Sequence, residues 1–382
     1  MAVDIDRANF TQDDYQQACM QLVARLTAVS SEPPAQTDAD VVRTKEQIAE
    51  TDLKIGRYVN AQHHAESVYS EIFKAQSSDD SRIMALKVTN PLAVNAPHDA
   101  IKEARILNAV KGPHIIELIE TFRQAGDRFI LVLPFYPLNL ADLLDRGDPP
   151  VSAQKSILQD LFNGLSNIHS QGIIHRDIKP SNILLASPTG PAYIADFGIA
   201  WSPDPSSSEP PGKKIIDVGT TCYRPPELLF GCENYGTKLD MWASGCLAAQ
   251  VVCLGATTLF DAGDLGSELA LIRSVFMTLG TPDLEVWPEA AGLPDWGKMN
   301  FTKYPGKPWD EILPGIGQEA KELVSRLVMY ESNRRCNADE VRWLSRVHAP
   351  NMANAVPRHC DSTSSNRDSL LDNMQAYLRH NQ

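Results

Sequence analysis

The sequence predicts an α+β fold in which a small, strand-rich lobe is followed by a larger, helical lobe. Short strand-like runs follow one another between residues 54 and 88, and an amphipathic helical pattern occupies residues 153–169. With 382 residues, of which 43% are hydrophobic, the chain is long enough to bury the core of one large two-lobed domain. We predict a helical extension at 1–50, an N-lobe at 51–136, a C-lobe at 137–357 and a polar, mobile tail at 358–382.

Charge and cysteine usage limit the function classes. The formal net charge of −13 argues against a nucleic-acid partner, because such surfaces need clustered positive charge. The seven cysteines are scattered without Cys-x-x-Cys spacing, which predicts reduced intracellular thiols rather than a zinc site or a disulfide framework. No apolar run approaches the roughly 20 residues that span a bilayer. We therefore expect a protein of the cytoplasm or nucleus without a membrane partner.

The first predicted strands form a hairpin. Residues 54–59 and 67–74 alternate in polarity well enough to pair, and residues 83–88 follow as a third strand. A turn that covers a nucleotide normally carries three glycines, because glycine lets backbone amides approach the phosphates. The predicted turn, residues 60–66, has none, and only Gly56 lies nearby. This departure weakens the prediction of a phosphate clamp.

Lys87 at the end of the third strand is a candidate phosphate ligand. Glu103 follows sixteen residues later, in a helix predicted over 99–110. A buried lysine needs a carboxylate partner to keep its charge and to aim it at α- and β-phosphates. The spacing therefore predicts an ion pair between Lys87 and Glu103, although a solvated pair would have the same sequence.

Two apolar segments precede the central motif. Residues 129–136 read as a buried strand that runs into a proline-marked connector. Residues 153–169 read as a helix with Ser152 as its N-cap and Gly172 as its stop. This helix is expected to be structural and to deliver the chain to His175.

Between His175 and Gly198 the chain carries two spaced carboxylates, a lysine and an amide. The residues run His175-Arg176-Asp177-Ile178-Lys179-Pro180-Ser181-Asn182 and, after an apolar run, Asp196-Phe197-Gly198. This pattern resembles the catalytic loop and metal-binding turn of a protein kinase. The resemblance implies that Asp177 accepts the proton of a substrate hydroxyl and that Lys179 offsets charge on the γ-phosphoryl group. Asn182 and Asp196 would hold magnesium.

Downstream residues fit scaffold roles in the same pattern. Glu227, in Pro225-Pro226-Glu227, closes an activation segment that begins at Asp196, and it is a candidate partner for Arg335. Asp240 opens an apolar helix and is a candidate acceptor for backbone amides of the catalytic loop. Removing either partner of such a contact would leave a buried charge unpaired.

With these residues in hand, residues 51–350 resemble a eukaryotic protein kinase and, more narrowly, a cyclin-dependent-kinase-like member of the CMGC group. Residues 97–103 align with the cyclin-binding helix, and residues 271–289 with the C-lobe insert of that group. The resemblance implies ATP and Mg²⁺ as cofactors, and His175, Arg176, Phe197 and Gly198 as scaffold. It counts Thr220 among the catalytic residues, with Asp177, Lys179 and Asn182. It also implies the nucleotide-binding set Ile55, Gly56, Val68, Ala85, Leu133, Phe135, Tyr136 and Leu184.

The regulatory positions depart from that family. Cyclin-dependent kinases hold an activation-segment phosphothreonine with three arginines, and the matching residues here are Lys102, Arg176 and Trp201. An ammonium and an indole make a poor phosphate cradle, because bidentate guanidinium geometry is missing. The threonine itself is replaced near Ile215. The sequence leaves open whether Ser206–Ser208 are phosphorylated.

Together these departures resemble the single-subunit fungal kinases that activate cyclin-dependent kinases. The resemblance implies a serine/threonine kinase that needs no cyclin and acts on the activation-loop threonine of a cyclin-dependent kinase. Two alternatives stay open: a cyclin-dependent, proline-directed kinase, and a pseudokinase scaffold suggested by the altered hairpin turn.

Overall fold

A computed structural model describes residues 53–147, 151–204, 209–253 and 257–341. The predictions for the extension at 1–50, for the tail at 358–382 and for Ser206–Ser208 lie outside the described residues. Among the described residues, no helix is long and apolar enough to cross a membrane.

The N-lobe is built on a five-stranded antiparallel sheet. Its strands are β1 (Tyr58–Glu66), β2 (Ser70–Ser77), β3 (Ile83–Thr89), β4 (Glu120–Gln124) and β5 (Arg128–Pro134). They lie in the order β1-β2-β3-β5-β4, so that β3 is central. One face of the sheet is covered by a cluster that includes Tyr58, Leu86 and Val132. Lys87, which alternates with Leu86, lies on the other face.

The first hairpin differs from its predicted register. The predicted turn at 60–66 is part of β1, and the observed turn comprises Ser67 to Tyr69. Ser67 N donates to the carbonyl of Ser70 at 2.8 Å, and Ser70 N donates to the Ser67 hydroxyl at 3.1 Å. The prediction was wrong because residues 60–66 contain no glycine or proline, whereas serine closes the turn through its side chain.

Helix α1 (Ala100–Ala109) follows β3 in the chain and lies on the face of the sheet that carries Lys87, which we call the cleft face, because its Glu103 contacts Lys87. Asp99 caps it by accepting from the amides of Ile101 and Lys102 at 2.9 and 2.8 Å. The backbone N–H of Asp99 donates to the carbonyl of Gly198 at 3.0 Å. The start of α1 is thus tied to the second half of the central motif.

The C-lobe is mainly helical. Its helices are α2 (Leu140–Asp145), α3 (Val151–Ser170), α4 (Pro226–Leu229), α5 (Lys238–Cys253), α6 (Glu268–Leu279), α7 (Trp309–Ile312) and α8 (Gln318–Leu327). A small antiparallel sheet, β6 (Leu138–Asn139), β7 (Ile183–Leu185) and β8 (Ala192–Ile194), lies beside α3. Short 3-10 helices cover Pro91–Ala93, Pro180–Asn182, Thr221–Tyr223, Pro288–Gly292 and Ser332–Arg334.

Helix α3 is close to its prediction but begins earlier. Ser152 lies inside the helix, so it is not the N-cap that the sequence suggested. The stop is where it was expected: Gly172 has φ +72°, and its N–H donates to the carbonyl of His169. The apolar stripe of α3 is buried in the C-lobe core, where Ile157, Leu165 and Ile168 are inaccessible. The chain leaves α3 directly into the segment that begins at His175.

Candidate active site

Lys87 is the centre of a buried charge cluster. Its ammonium lies 2.8 Å from both carboxylate oxygens of Glu103 and 2.7 Å from Oδ1 of Asp196. Burial alone would lower the pKa of Lys87, but the two carboxylates raise it above its usual value. Lys87 in turn holds the pKa of Asp196 well below its usual range. At neutral pH this site therefore contains a charged lysine between carboxylates.

The backbone explains why these three residues meet. Lys87 lies in the central strand β3, where it pairs with Leu131 of β5 and Ile72 of β2. Glu103 is one turn inside α1, whose first residues are tied to Gly198 as described above. Because Asp196 lies only two residues before Gly198, this backbone contact places helix α1 next to Asp196, and Lys87 of β3 contacts both Glu103 and Asp196.

The catalytic loop is held in place by a buried carboxylate. Asp240, at the start of α5, accepts from the backbone amides of His175 at 2.8 Å and Arg176 at 2.9 Å. The His175 imidazole lies 3.0 Å from the carbonyl of Ala195 and packs edge-on against Phe197, with ring centroids 4.8 Å apart. Asp240 therefore has the location expected of a scaffold residue, and His175 links the loop to the Asp196–Gly198 turn.

Asp177 lies at the centre of a polar network. Its Oδ1 accepts from the N–H and the hydroxyl of Thr220 at 3.0 and 2.8 Å. Its Oδ2 accepts from Nδ2 of Asn182 at 3.0 Å and lies 2.8 Å from Nζ of Lys179. Lys179 also donates to the Thr220 hydroxyl at 2.8 Å. The structure thus brings together all four residues that the sequence assigned to catalysis.

The donor set beside this network fits magnesium. Asp196 and Asn182 offer oxygen ligands, which Mg²⁺ prefers, and Mg²⁺ is usually bound by one or two such groups together with substrate phosphates. The Asp196 side chain is 49% exposed, so it faces the cleft although Lys87 contacts it. When bound, ATP would supply the transferable phosphoryl group, and Mg²⁺ would neutralise part of the negative charge of the phosphates. Asp196 and Asn182 would hold the metal, and Lys87 would contact the phosphates.

Several predicted nucleotide residues border the same cleft. Ala85 and Leu133 are paired neighbours on β3 and β5, and Phe135 and Tyr136 follow in the connector between the lobes. Leu184 lies in β7, where it pairs with Tyr193, whose ring stacks on that of Tyr136. That these residues contact adenine remains a prediction.

The structure does not bring Ile55, Gly56 or Val68 to Lys87. Ile55 is buried in the cluster on the opposite face of the sheet, and a Cβ on Gly56 would meet the Phe122 ring of that cluster. Val68 is 88% exposed at the hairpin turn. The prediction for these residues was wrong because it placed the hairpin turn at residues 60–66, whereas the observed turn is at residues 67–69.

Ala65, Ile72 and His64 lie on the Lys87 face of the sheet or beside the connector instead. Ala65 pairs with Ile72, and Ile72 pairs with Lys87, so the side chains of Ala65 and Ile72 lie on the same face of the sheet as that of Lys87. The His64 ring lies 5.0 Å from that of Phe135. Counting back along the strands from Lys87, rather than starting from Gly56, would have found them.

A second buried ion pair supports the end of the activation segment. Arg335 donates from Nη1 and Nη2 to the two carboxylate oxygens of Glu227, both at 2.6 Å. The guanidinium also lies over the Trp242 ring, 5.0 Å from its centroid. The pairing proposed from sequence is observed, in bidentate form.

Comparison with known proteins decides the family. The model of the protein kinase domain matches residues 65–343. The chain belongs to the protein kinase family. The kinase is 36% identical over 308 residues to serine/threonine-protein kinase csk1 of Schizosaccharomyces pombe, covering 77% of this chain and 97% of that relative. It is 32% identical over 284 residues to human cyclin-dependent kinase 20, covering 72% and 78% of the two chains.

The solved structures agree with the fold. The yeast RNA Pol II CTD kinase CTDK-1 complex contains a chain that matches with a TM-score of 0.64 and 25% identity, over 80% of this kinase and 95% of that chain. The predicted α+β kinase fold and the resemblance to cyclin-dependent-kinase-like enzymes are therefore confirmed. The protein is a serine/threonine protein kinase.

Proposed function

We propose that this kinase phosphorylates the activation-loop threonine of a cyclin-dependent kinase and that it needs no cyclin to do so. The observation that carries cyclin independence is the contact of Lys87 with both Glu103 and Asp196 in a single chain. The proposed substrate rests on the resemblance to the fungal activating kinases. In this arrangement the helix glutamate, the strand lysine and the metal-binding aspartate are already aligned. Helix α1 already lies where Glu103 contacts Lys87, so no cyclin is needed to move it there.

The neighbouring network supports the same conclusion. Asp177 is held by Thr220, Lys179 and Asn182 without an added group. The pseudokinase alternative lacks support, because each residue that orients the proton, the metal or the phosphates is present and in contact with its partner.

One observation favours the cyclin-dependent, proline-directed alternative. Arg224 Nε donates to the carbonyl of Gly219 at 3.0 Å, and the N–H of the same peptide unit, from Thr220, donates to Asp177. Arg224 thus already occupies one acceptor site of this carbonyl beside the catalytic aspartate, which makes the carbonyl a weaker acceptor for a substrate N–H. A substrate with proline after the target residue would lose nothing there, since proline has no N–H.

The test uses the full chain, purified, treated with phosphatase and free of cyclin. The substrate is a catalytically inactive cyclin-dependent kinase with its activation-loop threonine, and the matched control replaces that threonine with alanine. We expect Mg-ATP-dependent phosphorylation of the first protein only, mapped by mass spectrometry.

Two results would contradict the proposal. Phosphorylation that begins only when a cyclin is added would favour the cyclin-dependent alternative. A preference for Thr-Pro over Thr-Ala peptides, with no transfer to the intact activation loop, would favour a proline-directed enzyme.

A further inference from the structure

Glu209 lies buried in the activation segment against the residue that precedes the catalytic aspartate. It is 5% exposed, and Arg176 is 1% exposed. Arg176 donates to both of its carboxylate oxygens, from Nη1 at 2.6 Å and from Nη2 at 2.9 Å. Arg176 also donates to the Tyr235 hydroxyl at 3.0 Å and to the carbonyl of Ile199. The fork-to-fork geometry is that of a strong, oriented ion pair.

The other two positions of the predicted phosphate cradle also converge on Glu209. Nζ of Lys102, in α1, lies 3.8 Å from its Oε1. The indole N–H of Trp201 donates to its backbone carbonyl at 2.9 Å. A carboxylate from the chain itself therefore lies among the three positions that hold the phosphothreonine in a cyclin-dependent kinase, although the aligned threonine position falls near Ile215. The lysine and the indole, which suit a phosphate poorly, both contact this residue.

Glu209 also fixes the segment that leads to Thr220. Its Oε2 accepts from the backbone N–H of Ile215 at 2.9 Å. Lys214 extends over the Trp201 ring, 4.7 Å from the centroid, and donates to the carbonyl of Tyr235 at 2.8 Å. One side chain thus links α1, the catalytic loop and the activation segment.

The charge balance requires an anion at this point. Arg176, Lys102 and Lys214 surround the carboxylate, and burial together with the charge of Arg176 lowers the pKa of both lysines. Burial would raise the pKa of Glu209, but hydrogen bonds from Arg176 and Ile215 bring it below its usual value. Without Glu209, a buried guanidinium would lose its carboxylate partner.

We propose that Glu209 is a positioning residue whose permanent carboxylate replaces a regulatory phosphate and keeps Arg176, Lys102 and the activation segment aligned. The inference rests on the proposed function and deepens it, since the phosphatase-treated kinase is expected there to be active and Glu209 would explain why. Glu209 acts through Arg176, which is adjacent to Asp177, and through Ile215, which leads to Thr220.

The principal test replaces Glu209 by glutamine, which keeps the shape and removes the charge. We expect kcat to fall roughly tenfold or more, because a buried charged donor loses its ionic acceptor. The affinity for Mg-ATP, measured by titration, should stay within about twofold of that of the wild type, because Lys87 and Glu103 keep their contact. Hydrogen exchange at the Ile215 amide should accelerate. Glu285→Gln, at an exposed glutamate, is the matched control and should change none of these.

Two further variants separate positioning from simple destabilisation. Glu209→Asp keeps the charge and should recover part of the lost kcat. In a Lys102→Met background, which removes one of the surrounding cations, Glu209→Gln should have a smaller effect than in the wild type.

The inference is overturned if Glu209→Gln, with unchanged thermal stability, leaves kcat and the exchange of the Ile215 amide like those of the wild type. It is also overturned if the effect of Glu209→Gln is equal in the two backgrounds. A different result would contradict the proposed function: the wild-type kinase itself would be inactive without cyclin or phosphorylation. The comparison of Ile215 exchange between wild type and Glu209→Gln decides the role of Glu209 in that case as well.

Discussion

Asp177 shows how single residues define this active site. Its two oxygens accept from Thr220 and Asn182 and approach Lys179, so the carboxylate is fixed before a substrate arrives. Phosphoryl transfer depends mainly on positioning and charge rather than on covalent catalysis. An oriented base in this network is the group that would align the substrate hydroxyl.

Replacing Asp177 by asparagine should therefore reduce kcat strongly while Mg-ATP binding persists. Proton transfer by a positioned side chain typically contributes about 10²–10⁴-fold, and we expect a loss in that range. Steady-state kinetics and nucleotide titration measure the two effects separately. Asp264→Asn, at an exposed aspartate, serves as control. A loss below about threefold would remove Asp177 from its assigned role.

Functional residues could be predicted from the sequence where they belong to short motifs with fixed spacing. Lys87, Glu103, Asp177, Asn182 and Asp196 were found from short motifs, and the structure gives each a partner. Glu209 was missed because its role depends on a fold of the activation segment that no short pattern encodes. The signal available was an acidic residue beside a run of serines and prolines, six residues before the position near Ile215 where the comparison sought a threonine.

At the scale of elements, the activation segment reaches Asp177 through a tight turn at Gly219. Gly219 has φ +78°, and a Cβ built on it would lie 2.7 Å from the carbonyl oxygen of Arg176. An alanine there would be both strained and in steric conflict with the catalytic loop. The turn therefore needs glycine to place Thr220.

Gly219→Ala should lower kcat by about tenfold or more, because the displaced Thr220 no longer holds Asp177. Gly212→Ala is a matched control in the same segment, since no atom lies within 4 Å of a Cβ there. Kinetic assays of both variants, with their melting temperatures, test the prediction. Equal activities of the two variants would contradict it.

Elements were predictable to the extent that their periodicity was local. Helix α1 and helix α3 follow their predicted ranges closely, because apolar stripes and stop signals such as Gly172 are short-range signals, although the predicted cap Ser152 lies inside α3. The β1–β2 hairpin was placed incorrectly, since strand register depends on pairing with β3 and not on the hairpin alone.

At the scale of the whole molecule, the C-lobe is joined by contacts between distant parts of the chain. Glu227 and Arg335 are 108 residues apart in sequence, and both are buried. Arg335 also donates to the backbone carbonyls of Met329 and Lys238, so it ties three segments together. The end of the activation segment is thereby attached to the helical core.

Arg335→Met should lower the free energy of unfolding by about 3–5 kcal/mol, because Glu227 would remain as an unpaired buried charge. The exposed pair Arg326–Glu322, with an N–O distance of 2.7 Å, is the control, and Arg326→Met should cost about 0.5 kcal/mol or less. Urea denaturation followed by tryptophan fluorescence measures both. Equal losses in the two variants would show that burial of the Arg335 pair does not matter.

The contact between Glu209 and Arg176 has a consequence for how such an enzyme is governed in a cell. A phosphatase has no ester bond to hydrolyse on a carboxylate, and a dephosphorylated pool of this kinase would be as well ordered at Arg176 as a freshly made one. If Glu209 has the proposed role, the ordering of Arg176 needs no phosphate that a phosphatase could remove. We then expect the kinase activity measured after phosphatase treatment to vary with the amount of the kinase and not with its history of phosphorylation at this site.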